Sequence, residues 1–484
     1  MQRLDLPFAI PPYSSDQIGV GGDDAVNVRI EKADTGGRVE FFYQHTPALK
    51  LFCTQSIAGP SRGFWQASNG RVFQVAGATL WEIYYNGNRV NRGTITTADN
   101  PVGITDDGLR LVVMDGTAGY TLTFSTNVFA AIADPDFPNG AVQCWFIDQY
   151  IVCLEPNSIY WRFSEIADAT VWPALNRVAA EGNPDWATAI CVNAREVWVG
   201  GSKSFEVFYD SGDPDAAFTR INGAVLEVGI VAPYSLDSAR GRVFFLGGGE
   251  TGAGRVWASN GLTVEPISTK GIDGILATSD DLSNSFAKCH TFEGNTFYVL
   301  TVPSIDRTLV YDVDLNVWHE RAWMDPNTGR FTRWRGQYSC FGHGRVLVGD
   351  SFGDAVYSLS LTDYADDKPD ESGTFTIRRR RTTPFYEKDR LNLKWLEIEL
   401  QALTGYGTTT GQGSDPEIMI RTSNDGLQWS NERRASLGAL GNRLARCRLM
   451  LLGMSRLRKY RFEQTDPVPV AWQKLWGTIE AANS

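Results

Sequence analysis

A two-strand unit that recurs at nearly even spacing constrains this chain more than any other feature. In residues 191–212, CVNAREVWVGGSKSFEVFYDSG, an apolar run at Val197, Trp198 and Val199 is followed by Gly200-Gly201. Phe205, Val207 and Tyr209 then alternate with Glu206 and Phe208. Period-two apolar spacing broken by glycine predicts a half-buried hairpin turning at Gly200-Gly201. One hairpin cannot bury its own faces and needs neighbours of the same kind. Comparable units stand at 69–84, 107–124, 145–164, 239–261, 292–321 and 342–361. Taking the first turn of each as a marker (Gly70, Gly108, Asp148, Ala194, Gly241, Gly294, Gly344), the steps are 38, 40, 46, 47, 53 and 50 residues. Such spacing, with three or four strands per unit, predicts a β-propeller of about seven blades. A closed ring of this kind leaves no long strand edge exposed.

The rest of the chain fits an all-β class. Its 484 residues include 48 glycines and 15 tryptophans, and no long window repeats apolar residues at i, i+3, i+4, i+7, so helices should be few. Residues 1–60 read as an irregular segment that closes the propeller, with strands at 26–30 and 38–43. The propeller itself is expected over 61–362. The polar, acidic stretch around 363–372 reads as a linker. After it, about six strands separated by Gly, Pro and Asn-Asp-Gly turns predict a β-sandwich or jelly roll over 373–484.

Charge is divided between these parts. Residues 371–484 hold 18 Lys and Arg against 12 Asp and Glu, a balance of +6, and the remainder holds 27 against 44, a balance of −17. An acidic body argues against whole-surface binding to nucleic acid, while a basic appendage suits docking between unlike surfaces of neighbouring subunits. Asp5 and three early prolines interrupt any signal-peptide core, and no apolar run approaches the roughly 20 residues of a membrane span, so no membrane partner is expected. Seven scattered cysteines without a C-x-x-C predict free thiols in a reducing compartment. The four histidines are isolated in sequence and read as structural, so neither a metal nor a cofactor is expected.

Candidate sites are few. The glycine-rich GGGETGAG at 247–254 lacks a following Gly-Lys-Ser/Thr and precedes a strand, so it reads as a hairpin loop and not a phosphate cradle. Arg378, Arg379, Arg380 and Arg381 fall in one predicted strand, which puts Arg378 and Arg380 on one face and Arg379 and Arg381 on the other. One pair would be solvated while the other meets a carboxylate-rich partner. A second basic set comprises Arg446, Arg448, Arg456, Arg458, Lys459 and Arg461. Protein docking, phosphate contact and a plain solvated strand face remain open for both sets. The Ser423-to-Trp429 stretch, with Asp425, Gly426 and Trp429, resembles a shortened Asp-box hairpin of sialidases, which is a structural element. No nucleophile, base or metal-ligand spacing stands out, so the chain does not read as an enzyme.

Two regions together carry a family resemblance. The first is 179–235, with Asp185, the Arg195-Glu196-Val197-Trp198 strand, Phe205-Glu206-Val207 with Tyr209, and the Ser211-Gly212-Asp213 turn. The second is 405–441 with 461–468, carrying Gly411-Gln412-Gly413, Asp415-Pro416, Asn424-Asp425-Gly426 with Trp429, and Thr465-Asp466-Pro467. Thr46-Pro47 through Gly63 fits the same pattern more loosely. The chain resembles the tail-hub, or packaged-DNA-stabilisation, proteins of short-tailed bacteriophages. That resemblance implies a non-enzymatic virion part assembled in the host cytoplasm. It implies a homo-oligomeric ring of six copies beneath the portal and adaptor proteins, a hexamer that retains packaged DNA until ejection and carries needle, fibre or spike proteins. DNA would be blocked sterically, because an acidic channel repels it. On this view Arg379→Glu with Arg381→Glu should weaken assembly more than folding. The competing readings are a propeller scaffold without viral context and a glycan-binding, sialidase-like propeller.

Overall fold

The strand hairpins form where the chain can turn left-handed twice in succession. Asp148-Gln149, Ala194-Arg195, Arg240-Gly241, Glu293-Gly294 and His343-Gly344 all have positive φ at both positions. This is the type I′ geometry whose twist matches that of antiparallel strands. Each of these turns joins an innermost strand to the next, as Cys144–Ile147 joins Tyr150–Leu154. A computed structural model describes residues 2–12, 23–33, 39–57, 59–213, 216–248 and 254–482. The loop expected within 247–254 falls mostly at 249–253, outside the described residues.

Six four-stranded antiparallel sheets follow one another around the propeller. Five are continuous in sequence, over 61–94, 103–131, 144–179, 187–226 and 237–266. The sixth takes three strands from 336–360 and its outermost from far upstream, where Ala48–Cys53 pairs with Val356–Ser360. The expectation of about seven like blades is therefore corrected to six separate ones. The unit marked by Gly294 forms a four-stranded meander over 286–324, between the fifth and sixth blades, but it is not an independent sheet. Its last strand, Val317–Met324, pairs parallel with Asp24–Val26, through Val26 opposite Glu320, and Asp24–Val26 pairs with Arg379–Thr382. One ten-stranded sheet thus runs from the propeller into the C-terminal domain.

That domain is a two-sheet sandwich built from both ends of the chain. Its second sheet places Val28–Lys32 and Phe41–His45 beside Ala471–Ala481 and Leu393–Ala402, and Gln2–Leu6 also pairs with Ala471–Ala481. Leu6, Phe8, Val28, Ile30 and Tyr43 are buried in one core with Trp395, Tyr460, Phe462 and Trp472. The described strands before the first blade are thereby divided: Gln2–Leu6, Val28–Lys32 and Phe41–His45 belong to the sandwich, and Ala48–Cys53 completes a blade. The one α-helix of the described residues is Lys270–Leu276, where Thr269 Oγ1 accepts from Ile272 N at 3.4 Å.

Two local expectations change. The hairpin at 191–212 turns at Ser202 to Ser204, not at its glycines, which end the strand Glu196–Gly201. A Cβ on Gly201 would lie 2.4 Å from Asp185 Oδ2, and one on Gly200 2.5 Å from the Phe205 ring, so the glycines answer close packing. Phe205, Glu206, Val207 and Phe208 are all buried, because neighbouring blades cover both faces of the sheet.

The acidic stretch at 363–372 is packed and does not hang free. Asp366–Asp367 pairs with Thr374–Phe375, and their carboxylates accept from the edge amides of Leu49 at 2.8 Å and Leu51 at 3.0 Å. Burial raises the Asp366 carboxyl to about 6, against 3.8 ordinarily. An acid whose folded-state value is raised favours the folded state below its unfolded value and loses that contribution as pH rises towards 6. Asp366→Asn keeps the acceptor for Leu49 without the charge. It should stabilise the protein by about 3 kcal/mol above pH 7 and by little at pH 4. Denaturant titrations of both forms at the two pH values check this.

Candidate docking surfaces and the interdomain junction

The four consecutive arginines alternate as strand geometry requires, but the inward pair meets carboxylates and carbonyls of its own chain. Arg379 and Arg381 are both 0% exposed. Arg381 Nη1 donates to Asp23 Oδ2 at 3.0 Å and to the carbonyl of Thr382 at 2.9 Å, and its guanidinium lies 4.9 Å from the Tyr43 ring centroid. Arg379 donates to the carbonyls of Tyr364 at 2.7 Å and Asp466 at 3.2 Å, and burial lowers it to about 10. The outward pair is half-buried. Arg378 pairs with Glu463 at 2.7 Å and Arg380 with Asp24 at 2.6 Å, and both stack on Phe331. The expectation that Arg379 and Arg381 meet a partner is corrected: Arg381 holds the N-terminal segment through Asp23 and the carbonyl of Asp24, and Arg379 ties the stretch after the last blade, at Tyr364, to the sandwich at Asp466.

Asn27 locks the same junction. With φ at 56°, a left-handed value that asparagine tolerates, it turns its amide between three segments. Its Nδ2 donates to the carbonyls of Ala322 and Arg378, each at 2.9 Å, and its Oδ1 accepts from Ala322 N at 2.9 Å. Asn27→Ala leaves those groups buried without partners at about 1–3 kcal/mol each. A fall in denaturation midpoint without loss of the β-sheet circular dichroism is the expected outcome. His45 bridges the domains as well. Its Nδ1 accepts from Val470 N at 3.3 Å while Nε2 donates to the Leu361 carbonyl at 3.1 Å, a neutral tautomer. Burial accordingly lowers it to about 4.

The second basic set divides by exposure. Arg458 is buried, donating to Ser455 Oγ at 3.0 Å, and Lys459 is buried with its ammonium 5.1 Å from the Phe385 ring. Arg461 lies flat on Trp429 at 4.1 Å. By contrast Arg446 and Arg448 stand half out of the surface, on Glu399 at 2.5 Å and Glu397 at 3.6 Å, and Arg456 is exposed. These three share the sandwich's outer edge with large apolar side chains in water: Leu444 is 92% exposed and Leu451 84%, with Met450 and Met454 also exposed. Leu451 holds φ at 58°, left-handed for a bulky residue, while its amide donates to the Leu396 carbonyl at 2.8 Å. Exposed apolar groups ringed by arginine are the composition of a protein-docking surface.

Family models match both parts of the chain in order: the bacteriophage P22 Gp10 β-propeller over residues 25–364 and the bacteriophage P22 Gp10 β-sandwich over 378–480. The chain belongs to the bacteriophage P22 Gp10 family. It is thus a structural protein of a phage tail and a component of the virion. No curated protein matches it. Among solved structures, it is similar to the N-terminal domain of Nup159, at 11% identity and TM-score 0.40, covering 69% of this chain and 98% of that one. It is also similar to the extracellular domain of a putative hybrid two-component system of B. thetaiotaomicron, at 12% identity and TM-score 0.45, covering 66% and 40%. Similarities this remote carry no functional information.

Most of the residues on which the Gp10-family resemblance rests make contacts within the chain. Asp185 Oδ2 accepts from Lys203 N at 2.7 Å and so holds the Ser202–Ser204 turn. Glu206, buried, accepts from Gly182 N at 2.7 Å and pairs with Arg220 at 3.0 Å. Glu196 accepts from Nε1 of the buried Trp198 at 3.2 Å. Arg195 reaches Asp148 in the preceding blade at 3.0 Å, and Tyr209 is exposed. Asp425 Oδ1 takes the amides of Leu427 and Gln428 at 2.9 and 2.8 Å, with Gly426 left-handed at φ 79°. The Asp425 contacts close a tight turn, and Trp429 just after it carries the Arg461 guanidinium. Sequence reasoning read His45 as structural but missed its place at the junction, and missed Asn27 altogether, because nothing local marks a residue whose partners lie about 300 positions away.

Proposed function

We propose that this Gp10-family chain is the hub and plug of a short-tailed phage tail. Six copies form a ring under the portal and adaptor proteins, retain the packaged DNA by steric closure, and carry needle, fibre or spike proteins until ejection. The observation that carries this reading is the match of both Gp10 domains, in order, along one chain. The stapled junction supports it, since a plug under pressure must transmit load between its domains without hinging. The split in charge supports it too. A sandwich edge bearing Arg446, Arg448, Arg456 and exposed leucine and methionine is complementary to the acidic propeller of a neighbouring copy or to an acidic adaptor.

The test is assembly. Purified protein should be monomeric or weakly associated alone and form rings only on the portal–adaptor complex, seen by electron microscopy. Reversing Arg448 and Arg456 to Glu together with Leu451→Asp should leave melting behaviour nearly unchanged and abolish ring formation. Normal ring yield from that folded variant sinks the assignment of the edge. Failure of the wild-type protein to bind the portal–adaptor complex sinks the hub reading itself.

A further inference from the structure

The acidic excess of the propeller is concentrated on one side of the ring. Residues 103–226, which build the second, third and fourth blades, hold 16 Asp and Glu against 6 Lys and Arg, a balance of −10. In an antiparallel meander, the turn after the first strand and the turn after the third stand at the same end of the sheet. On these three blades that end is apolar as well as acidic. In the second blade Leu109 follows the strand Gly103–Asp106, Val128 follows Gly119–Thr123, and both are exposed. The third blade adds Ile166 and Leu175, between Tyr160–Phe163 and Arg177–Ala179, and Leu175 is 88% exposed. Tyr209, near the end of Phe205–Asp210, is the contribution of the fourth.

Contacts between the blades make these turns one surface. Phe124 N donates to the Leu109 carbonyl and Thr123 N to the Val128 carbonyl, each at 3.0 Å. Arg110 of the second blade reaches Asp168 of the third at 3.2 Å, and Ala167 N donates to the Gln149 carbonyl at 2.9 Å. Arg195 of the fourth blade reaches back to Asp148 of the third. Burial, Asp210 and Glu165 together raise the Tyr150 hydroxyl above its usual value, which places these two carboxylates around one side chain. Asp148 and Asp168 are thus paired with arginine. Glu165 and Asp210 form no ion pair among the described residues and accept from backbone amides, of Ile166 at 3.1 Å and Gly212 at 2.8 Å.

Exposed apolar groups fringed by unpaired carboxylates match the sandwich edge in kind and oppose it in charge. That edge carries Arg446, Arg448 and Arg456 among exposed leucine and methionine. The two surfaces do not meet within one chain. The sandwich joins the ring at the meander over 286–324, and the second and third blades lie farthest around the ring from that junction. Complementary surfaces on opposite sides of a molecule give a head-to-tail contact, which closes into a ring where the rotation per copy allows. We propose that the arginine-and-leucine edge of one sandwich docks on the turn end of the second to fourth blades of the next copy. This contact rests on the ring reading above and deepens it by naming both surfaces.

Two charge-reversed forms test it. Arg448→Glu with Arg456→Glu makes the edge acidic, and Glu165→Lys with Asp210→Lys makes the blade end basic. Each form should melt close to the wild type. Because like charges across a contact repel, either form alone should give rings on the portal–adaptor complex at about a tenth of the wild-type yield or less. An equimolar mixture should restore the rings with the two forms alternating. Each reversed edge then meets a reversed blade end, and each native edge a native one. Normal rings from the blade-end form alone overturn the proposal. A mixture that stays unassembled also overturns it, and is the result expected if the edge meets an acidic adaptor protein instead. In either case, wild-type binding to the portal–adaptor complex keeps the hub reading, whereas loss of that binding removes both. If the blade-end form fails to fold, Leu175→Asp replaces it: absent rings support the contact and normal rings overturn it.

Discussion

Arg381→Glu is expected to prevent the sandwich from folding, and not merely to weaken assembly. The wild-type guanidinium is fully buried against Asp23, the carbonyls of Thr382 and Asp24, and the Tyr43 ring. Reversal places a second carboxylate beside Asp23 in a fully buried site and orphans those carbonyls. Breaking a buried ion pair by removing one partner typically costs about 3–5 kcal/mol, and like charges add to that. Since whole domains are stable by only about 5–15 kcal/mol, the variant should appear as insoluble protein or lose its upper thermal transition. Arg381→Met with Asp23→Asn removes both charges and should recover much of the loss. Solubility and melting of the single and double variants measure the effect, and a well-folded Arg381→Glu protein that only fails to assemble would contradict it. The same reasoning makes Arg456→Glu, on the exposed edge, nearly neutral for folding.

Beginning the chain at Thr46 is expected to spare the propeller and destroy the sandwich. Ala48–Cys53, which completes the sixth blade, is retained, so the closed ring keeps its outer strand. Leu6, Phe8, Val28, Ile30 and Tyr43 are lost from the sandwich core, along with the strand pairings of Gln2–Leu6 and Val28–Lys32. Each of those side chains contributes about 1.5–3 kcal/mol by burial, which together matches the entire net stability of an ordinary domain. Limited proteolysis should leave a protected fragment close to 46–364 and degrade the remainder. Protection of residues 378–480 in the truncated protein would show that the sandwich stands without its N-terminal strands.

The hairpin units were legible because their causes are local. Alternation of Phe205, Val207 and Tyr209, and turn pairs such as Arg240-Gly241, act over a few residues and repeat. The Asn-Asp-Gly turn at 424–426 was legible for the same reason. The arginine strand was half legible: its alternation follows from strand geometry, but the identity of what faces Arg379 and Arg381 does not. Glycines misled once, at Gly200-Gly201, where close approach of Asp185 and Phe205 mimics the demand of a turn. The spacing also counted the meander over 286–324 as a blade like the others, since pairing with Asp24–Val26 leaves no mark in its own residues.

From its amino acids alone, this chain determined an all-β architecture of repeated hairpins followed by a basic β-domain, and the family likeness. Those properties rest on short-range periodicity and turn chemistry. Tertiary structure alone decided that Gln2–Leu6 and Val28–Lys32 complete the sandwich while Asp24–Val26 joins it to the meander, that the central arginines are internal clamps, and that Arg29, Arg321 and two histidines converge on Phe297. Several of these join groups hundreds of positions apart, as Arg381 joins Asp23 and Arg29 meets Phe297. Burial and pairing over such separations depend on how sheets stack, which no local pattern encodes.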